Sequence, residues 1–460
     1  MALKSITLIN PNHCFKSDPT TKMVLPPLGL AYLAAYLEKT GVEVSIVDAN
    51  VEKLTPIQTA RRALTQKPKL VGISAVTNTI KEAWEIAQQI KKKKNIPIVL
   101  GGVHPTILPE ESLKKNFIDM VIRGEGEIAL ADLTSGKTER RIASLSFKKG
   151  KKIVHSPQAP LIKNLDTLPF PARHLLPTEK YASIGSKQVP FTTMLSSRGC
   201  PYHCSFCSVQ ATGGPRWRPR SPENVLAEID HLVKDYGVRE INFADDNFTL
   251  DPTRVEKICQ LLIKRNYDLI LKNSNGVRLD SLTYPLLQLM KKAGWYLLAF
   301  GIESGNQQIL DKNNKELKLT KVRQVVHWCQ KIGIDTTGFF IIGLPGETPT
   351  TIKKTIDFAK SLDLDEAQFN ILIPFVGTRV REIIEKEGKI LTNDWHFYNP
   401  YAQPVFKMAK LTPSLMLKSQ QRAHRQFYLR PKILLKQIQK GHFLGRIKAG
   451  LPVMFAQLRK

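Results

Sequence analysis

Along residues 1–130, short β-branched apolar runs alternate with longer stretches whose apolar positions recur every three to four residues. The short runs are Leu3–Ile9, Val44–Val47, Leu70–Ser74, Ile98–Leu100 and Met120–Ile122, and they read as strands. Leu28–Thr40 and Ile80–Lys94 are helical in period and long enough to cross over a sheet. This alternation predicts an α/β domain over 1–135, a doubly wound parallel sheet that binds ligands at the carboxyl ends of its strands. The pattern lapses over 136–185, a polar stretch with Pro157, Pro160, Pro169, Pro171 and Pro177, which is expected to be a linker and collar.

A second rhythm starts at Phe191. Its strands are Phe191–Ser196, Glu240–Phe243, Leu269–Ser274, Tyr296–Gly301, Thr336–Ile342 and Phe369–Ile373. Its helices include Ser221–Tyr236, Asp251–Arg265, Thr320–Ile332 and Thr348–Leu362, with Ser221-Pro222 and Asp251-Pro252 as start signals. Six β/α units over 186–390 fit a partial (β/α)6 barrel, whose functional residues belong on the loops after the strands. Residues 391–460 are expected to form a basic helical region.

Composition adds little until charge is considered. The 460 residues have the apolar and charged fractions of a globular protein, and no run approaches the roughly 18 apolar residues of a spanning helix. The first residues lack a signal-peptide pattern, so a cytoplasmic protein is expected. The net charge is +28, and no acidic residue follows Asp394. Ser414–Lys460 mixes apolar residues with Arg422, Arg425, Lys436 and Lys440. It suits either a basic helical cap on the barrel or an amphipathic helix lying peripherally on an anionic membrane.

The cysteines carry the chemistry. Of six, Cys14, Cys259 and Cys329 are scattered, and the last two fall in helices as small buried hydrophobes. The other three share the loop Ser196-Ser197-Arg198-Gly199-Cys200-Pro201-Tyr202-His203-Cys204-Ser205-Phe206-Cys207, directly after the first strand of the second rhythm. Such crowding in a large chain argues for metal rather than disulfides. Three thiolates on one loop can each take one iron of a cubane, leaving the fourth iron open to a chelating molecule. Zinc would ask for a second closely spaced pair, and none is present.

The Cys-x3-Cys-x-Phe-Cys pattern of Cys200, Cys204 and Cys207 resembles that of the radical S-adenosylmethionine superfamily. The resemblance implies a [4Fe–4S] cluster on these cysteines and S-adenosylmethionine on its open iron. It places Phe206 near adenine. It also places Asp245 and Asp246, Asn275 and Arg278, and Glu303 after successive strands near the methionine and ribose, with Gly343 in the segment Gly338–Glu347 that approaches adenine. Pro26-Pro27-Leu28-Gly29-Leu30, Val47-Asp48, Leu100-Gly101-Gly102-Val103-His104-Pro105 and Arg123-Gly124-Glu125-Gly126-Glu127 resemble the cobalamin-binding domain of one subfamily. That subfamily includes hopanoid methylases, the anaerobic porphyrin-ester cyclase and antibiotic methylases. Ser74, Thr77, Gly101, Gly102, Val103, Glu125 and Gly126 are then the expected cobalamin contacts. Pro11-Asn12-His13-Cys14-Phe15-Lys16 lacks the Asp and Gly of the histidine-on cobalamin motif, so His13 is not expected to bind cobalt, and His104 is expected to line the pocket.

These resemblances imply a radical enzyme that cleaves S-adenosylmethionine to a 5′-deoxyadenosyl radical and uses cobalamin to methylate an unactivated carbon of a small-molecule or lipid substrate. Its electron donor would be a reductase, flavodoxin or ferredoxin. Oxidative cyclisation or ring rearrangement with the same parts is the alternative within the class. Nucleic-acid modification fits less well, because tRNA-thiomethylating relatives carry three further N-terminal cysteines where this chain has Cys14. A cobalamin sensor without catalysis would leave the cysteine loop unexplained.

Overall fold

The computed structural model describes residues 2–12, 24–181, 183, 186–399 and 402–439. Its N-terminal part runs β1 (Ser5–Asn10), α1 (Leu28–Lys39), β2 (Glu43–Asp48), α2 (Pro56–Thr65), β3 (Leu70–Ser74), α3 (Ile80–Lys93) and β4 (Ile98–Gly101). Two short helices, α4 (Val103–Ile107) and α5 (Pro109–Leu113), lead to β5 (Met120–Ile122) and α6 (Glu127–Thr134). The sheet order is β2-β1-β3-β4-β5-β6-β7, with β1 to β5 parallel. The order reverses between β1 and β3, which opens a crevice at their carboxyl ends.

The expected linker contributes to this sheet. β6 (Leu145–Lys149) and β7 (Lys152–His155) form an antiparallel hairpin on the edge of β5. Lysines on both sides of Gly150 mask the apolar alternation of Leu145 and Phe147, which are buried, and Gly150 supplies the left-handed turn at φ 59°. The prolines begin only at Pro157, and the collar proper starts there.

The second sheet is six-stranded and follows chain order from β8 (Phe191–Met194), which is buried throughout. After it come the two-residue strand β9 (Ser197–Arg198), α7 (Val209–Thr212), its antiparallel partner β10 (Arg218–Pro219), α8 (Pro222–Tyr236) and β11 (Glu240–Phe243). The chain continues through α9 (Pro252–Arg265), β12 (Ile270–Val277), α10 (Tyr284–Lys292), β13 (Trp295–Glu303), α11 (Gln307–Lys312), α12 (Leu319–Ile332), β14 (Asp335–Ile342), α13 (Pro349–Ser361) and β15 (Glu366–Ile371). All neighbours are parallel, giving an open partial barrel. Local signals agree with the fold. Ser221 and Asp251 cap α8 and α9 by accepting from Asn224 N and Arg254 N, each cap worth about 1 kcal/mol. Phe243, Phe248 and Trp295 stack in the core, and Trp295 Nε1 finds Asn273 Oδ1 at 2.7 Å. Cys259 and Cys329 are fully buried in α9 and α12, as expected.

α14 (Arg379–Glu387) and the hairpin β16 (Gly388–Ile390) and β17 (Phe406–Met408) lead to α15 (Pro413–Tyr428) and α16 (Pro431–Gln439). α15 is a cap on the barrel. Gln420, His424 and Tyr428, one helical turn apart, bond the backbone of Phe369 and Ala367 on the edge strand β15. Burial lowers the His424 pKa to about 4, which keeps the ring neutral so that Nε2 can accept. Lys436 of α16 pairs with Asp363, and the basic segment from Lys440 onward lies outside the described residues. Among the described residues no helix is long and apolar enough to cross a membrane.

Candidate active site

The cysteine loop leaves β8 at the carboxyl end of the barrel, where (β/α) folds place function. Cys200, Cys204 and Cys207 are all partly exposed. The loop is pinned on several sides. Gln210 Nε2 donates to the carbonyls of Cys200 (2.9 Å) and Tyr202 (2.7 Å). Ser205 bonds Asn313 through N (3.0 Å) and Oγ (2.8 Å), and Asn313 Nδ2 reaches Pro345 O (3.2 Å) after β14. Val380 N donates to Ser205 O. Burial raises the Cys204 thiol and pushes Cys207 up to about 11. Such thiols ionise when iron is beside them, so the donor set suits a cluster. Among the described residues no three His, Cys, Asp or Glu side chains converge on a single-ion site. A cubane takes each thiolate at a separate corner.

The expected S-adenosylmethionine residues surround this loop but divide into two groups. Asp245 and Asp246 belong beneath it. Asp245 is buried, and its carboxylate accepts from Ser196 N (2.8 Å), Ser196 Oγ (2.6 Å) and Ser197 Oγ (2.6 Å). Asp246 accepts from Gly199 N at 2.9 Å. Through these bonds Asp245 and Asp246 support the approach to Cys200. Their neighbour Asn247 points toward the cluster position, with Nδ2 3.9 Å from Cys200 Sγ.

The second group lies at the carboxyl ends of β12, β13 and β14 and, with Phe206, in the loop itself. Asn275 bridges to the carbonyls of Ala244 and Asp245 and is exposed beyond them. Arg278 stacks on Tyr202, 3.4 Å from the ring centroid, while its Nη1 is buried without a partner among the described residues. Glu303 sits at φ 67°, a strained value for a non-glycine residue, and pairs with Lys315 at 3.1 Å. Phe206 packs on the barrel core. Gly343 is at φ 106° with Met416 and Phe406 against it, and its N–H donates to Glu347 Oε2 at 2.7 Å. Met416 of α15 and Phe406 of β17 thus cover one side of that glycine. Among the described residues, buried Asn247 Oδ1, Arg278 Nη1 and Glu347 Oε1 lack partners. Asn247, Lys315, Asn313 and Gln210 were missed in the sequence, and only Asn247, beside the aspartates, lay in a motif.

In the first domain, Ser74 ends β3, Gly101 ends β4 and Gly102 follows it at the carboxyl ends of the strands. A Cβ on Gly102 (φ 93°) would lie 2.6 Å from Ala75 O and 2.9 Å from Ser74 Oγ. Only glycine lets the two strand ends close into a backbone floor, which fits a bulky planar ligand above it. Thr77 and Val103 begin the adjoining turns. His104 does not line that floor. It is buried behind the loop, bonded to Glu111 at 3.0 Å and set edge-on to Trp84 and Trp395. Glu125 is likewise committed elsewhere, to Arg198, Arg218 and Ile162 N, and Gly126 packs on Leu33. The segment from His13 to Lys16 lies outside the described residues.

Comparison with known proteins agrees with both halves of this site. Residues 194–359 match the radical SAM superfamily, and residues 20–134 match the B12 binding domain. The chain is 37% identical over 423 residues, 91% of each chain, to an uncharacterized methyltransferase of Pyrococcus horikoshii. It is 31% identical to the anaerobic magnesium-protoporphyrin IX monomethyl ester cyclase of Rubrivivax gelatinosus, over 93% of this chain and 79% of that one. Its fold is similar to the radical S-adenosylmethionine methyltransferase TsrM of Kitasatospora setae, with TM-score 0.70 and 20% identity, covering 92% of this chain and 82% of the other. The chain belongs to the radical S-adenosylmethionine superfamily, among the members built with a cobalamin-binding domain, and its cofactors are a [4Fe–4S] cluster, S-adenosylmethionine and cobalamin.

Proposed function

We propose that this enzyme methylates an unactivated carbon of a small-molecule or lipid substrate held between its two domains. The observation that carries the reading is the packing of the two cofactor-bearing segments on each other. A Cβ on Gly377 would lie 3.3 Å from Ala211, just beyond the cysteine loop, and 3.4 Å from Ile107, just beyond Gly101 and Gly102. A glycine at φ 82° lets α4 and α7 approach, which supports a reading in which the two cofactors face each other across the domain junction. When bound, the cluster with S-adenosylmethionine supplies a radical able to take hydrogen from an inert carbon, and cobalamin supplies the methyl group. The protein's part is to hold and to exclude: Cys200, Cys204 and Cys207 hold iron, the Glu303–Lys315 pair and Arg278, itself bonded to Asp280, stand where a zwitterionic amino acid would bind, and the domain junction keeps water out. We place the enzyme in the cytoplasm, fed by a flavodoxin- or ferredoxin-type donor, with peripheral membrane contact reserved for the basic end of the chain.

The cyclase of Rubrivivax gelatinosus, matched over nearly all of this chain, keeps oxidative ring closure as the second reading. The two are separated by supplying the reduced holoenzyme with S-adenosylmethionine carrying a deuterated methyl. Label recovered with the cobalamin, and then in the product, supports methyl transfer. An oxidised product without label, from unlabelled cobalamin, supports cyclisation.

A further inference from the structure

Four charged side chains cross the domain junction immediately ahead of the cysteines. Arg198 lies two residues before Cys200, and Arg218 is directly opposite it in the β9–β10 ladder. Arg198 Nη1 donates to Glu125 Oε1 (3.0 Å) and Nη2 to Glu127 Oε1 (2.8 Å). Arg218 Nη1 donates to both oxygens of Glu125, at 2.8 and 3.0 Å. On the same side the Arg198 guanidinium lies over the ring of Tyr32, 5.2 Å from its centroid, so a third group of the cobalamin-binding domain grips it. Side-chain exposure is 17% for Arg198, 14% for Glu125, 7% for Arg218 and 5% for Glu127, so water screens the set weakly. Glu127 opens α6, where a carboxylate also meets the positive end of the helix.

Two carboxylates balanced by two guanidinium groups have no charge left over for a ligand. We propose that Arg198 is a positioning residue: gripped by Glu125 and Glu127, it fixes the cysteine loop against the cobalamin-binding domain and so sets the separation between the iron–sulfur cluster and cobalt. This rests on the cofactor assignment above. The planar fork of arginine spans both glutamates at once, a geometry that lysine, a compact point charge, reproduces less well. Removing the fork leaves two buried carboxylates sharing one arginine, and the junction relieves them by opening.

The test compares wild type, Arg198→Lys, Arg198→Met and Glu127→Gln. Amide hydrogen exchange on the purified chain is expected to rise roughly 10-fold over Glu127–Thr134 and at Arg198 and Gly199 in Arg198→Met, with Arg198→Lys intermediate. In reconstituted protein, pulsed EPR between the reduced cluster and cob(II)alamin is expected to show one narrow distance distribution in wild type. It should broaden in Arg198→Met and Glu127→Gln at unchanged iron and cobalamin content. Unchanged exchange and an unchanged distance distribution in these variants overturn the proposal. Should Arg198→Met fail to fold, Arg198→Lys and Glu127→Gln decide by the same two readouts. Wild-type protein that takes up neither iron nor cobalamin overturns the cofactor assignment instead, and the exchange data then decide the clasp alone.

Discussion

The two ends of the barrel sheet bury charge in opposite ways. At the amino ends of its strands, Glu240 is fully buried and saturated: it pairs with Lys272 at 2.6 Å and accepts from Tyr296 Oη (2.8 Å), Lys187 N (2.6 Å) and Gln188 N (2.9 Å). Lys272 in turn reaches Ser186 and lies over Phe191. At the carboxyl ends, Asn247, Arg278 and Glu347 each keep a buried polar atom without a partner among the described residues, and Glu303 holds a left-handed backbone. One end spends its charges on stability. The other carries the strained Glu303 backbone beside the cysteine loop, where (β/α) folds place function, although unpartnered polar atoms occur at both ends, Gln188 Oε1 and Tyr267 Oη lying at the amino end.

Substitutions at the two ends should therefore separate stability from function. The largest effect is expected from Cys204→Ala, which should abolish cluster assembly, read as loss of bound iron and of the cluster's visible absorption, while the chain stays folded by circular dichroism. Glu240→Ala should do the reverse. It leaves Lys272 buried without its partner, at a cost of about 3–5 kcal/mol in urea unfolding, yet the folded fraction should still load iron. A Glu240→Ala protein as stable as wild type would break the contrast.

Glu347 supplies a test by pH. Burial pushes its carboxyl up to about 8, while Gly343 N and Leu344 N pull the other way. A raised acid pKa means that the folded state holds more protons than the unfolded chain between the two values. Stability is therefore greatest below the unfolded pKa and falls as pH rises toward about 8. His424 acts in the opposite sense. Its lowered pKa makes stability fall as pH drops from 6.5 to about 4, so the clean window for Glu347 lies above 6.5. There Glu347→Gln should remove a slope of up to about 1.4 kcal/mol per pH unit, seen as convergence or crossing of the two melting curves. Identical pH profiles would show that Glu347 ionises freely.

The smallest stability effect is expected from Glu303→Gln, less than about 2 kcal/mol, since the amide can still accept from Lys315. Its affinity for S-adenosylmethionine, by calorimetry on the cluster-loaded protein, should nonetheless fall about 10-fold or more for loss of one charge-assisted bond. Unchanged affinity would remove Glu303 from the binding end.

Much of this was legible in the sequence, because strand and helix periods differ and the three cysteines fall in one loop. Every strand of the barrel was found within a few residues. What escaped depended on direction rather than order. Asp245 and Glu303 look alike as acids after strands, yet one turns under its loop toward Ser196 while the other, on a left-handed backbone, pairs with Lys315. Glu125 follows β5 as a ligand residue would, but its partners Arg198 and Arg218 lie 73 and 93 residues away. The hairpin Leu145–His155 was hidden by lysines that face solvent, and the role of α15 depends on an edge strand that no local window reveals.

The central claim is that one chain holds a radical-generating cluster and cobalamin together. Its most direct test is anaerobic reconstitution with iron, sulfide and cobalamin, followed by reduction with S-adenosylmethionine. The account predicts a [4Fe–4S] EPR signal, bound cobalamin and release of 5′-deoxyadenosine, with the first and last lost in Cys200→Ala. Protein that binds neither cluster nor cobalamin, or that releases 5′-deoxyadenosine equally well without Cys200, would contradict it.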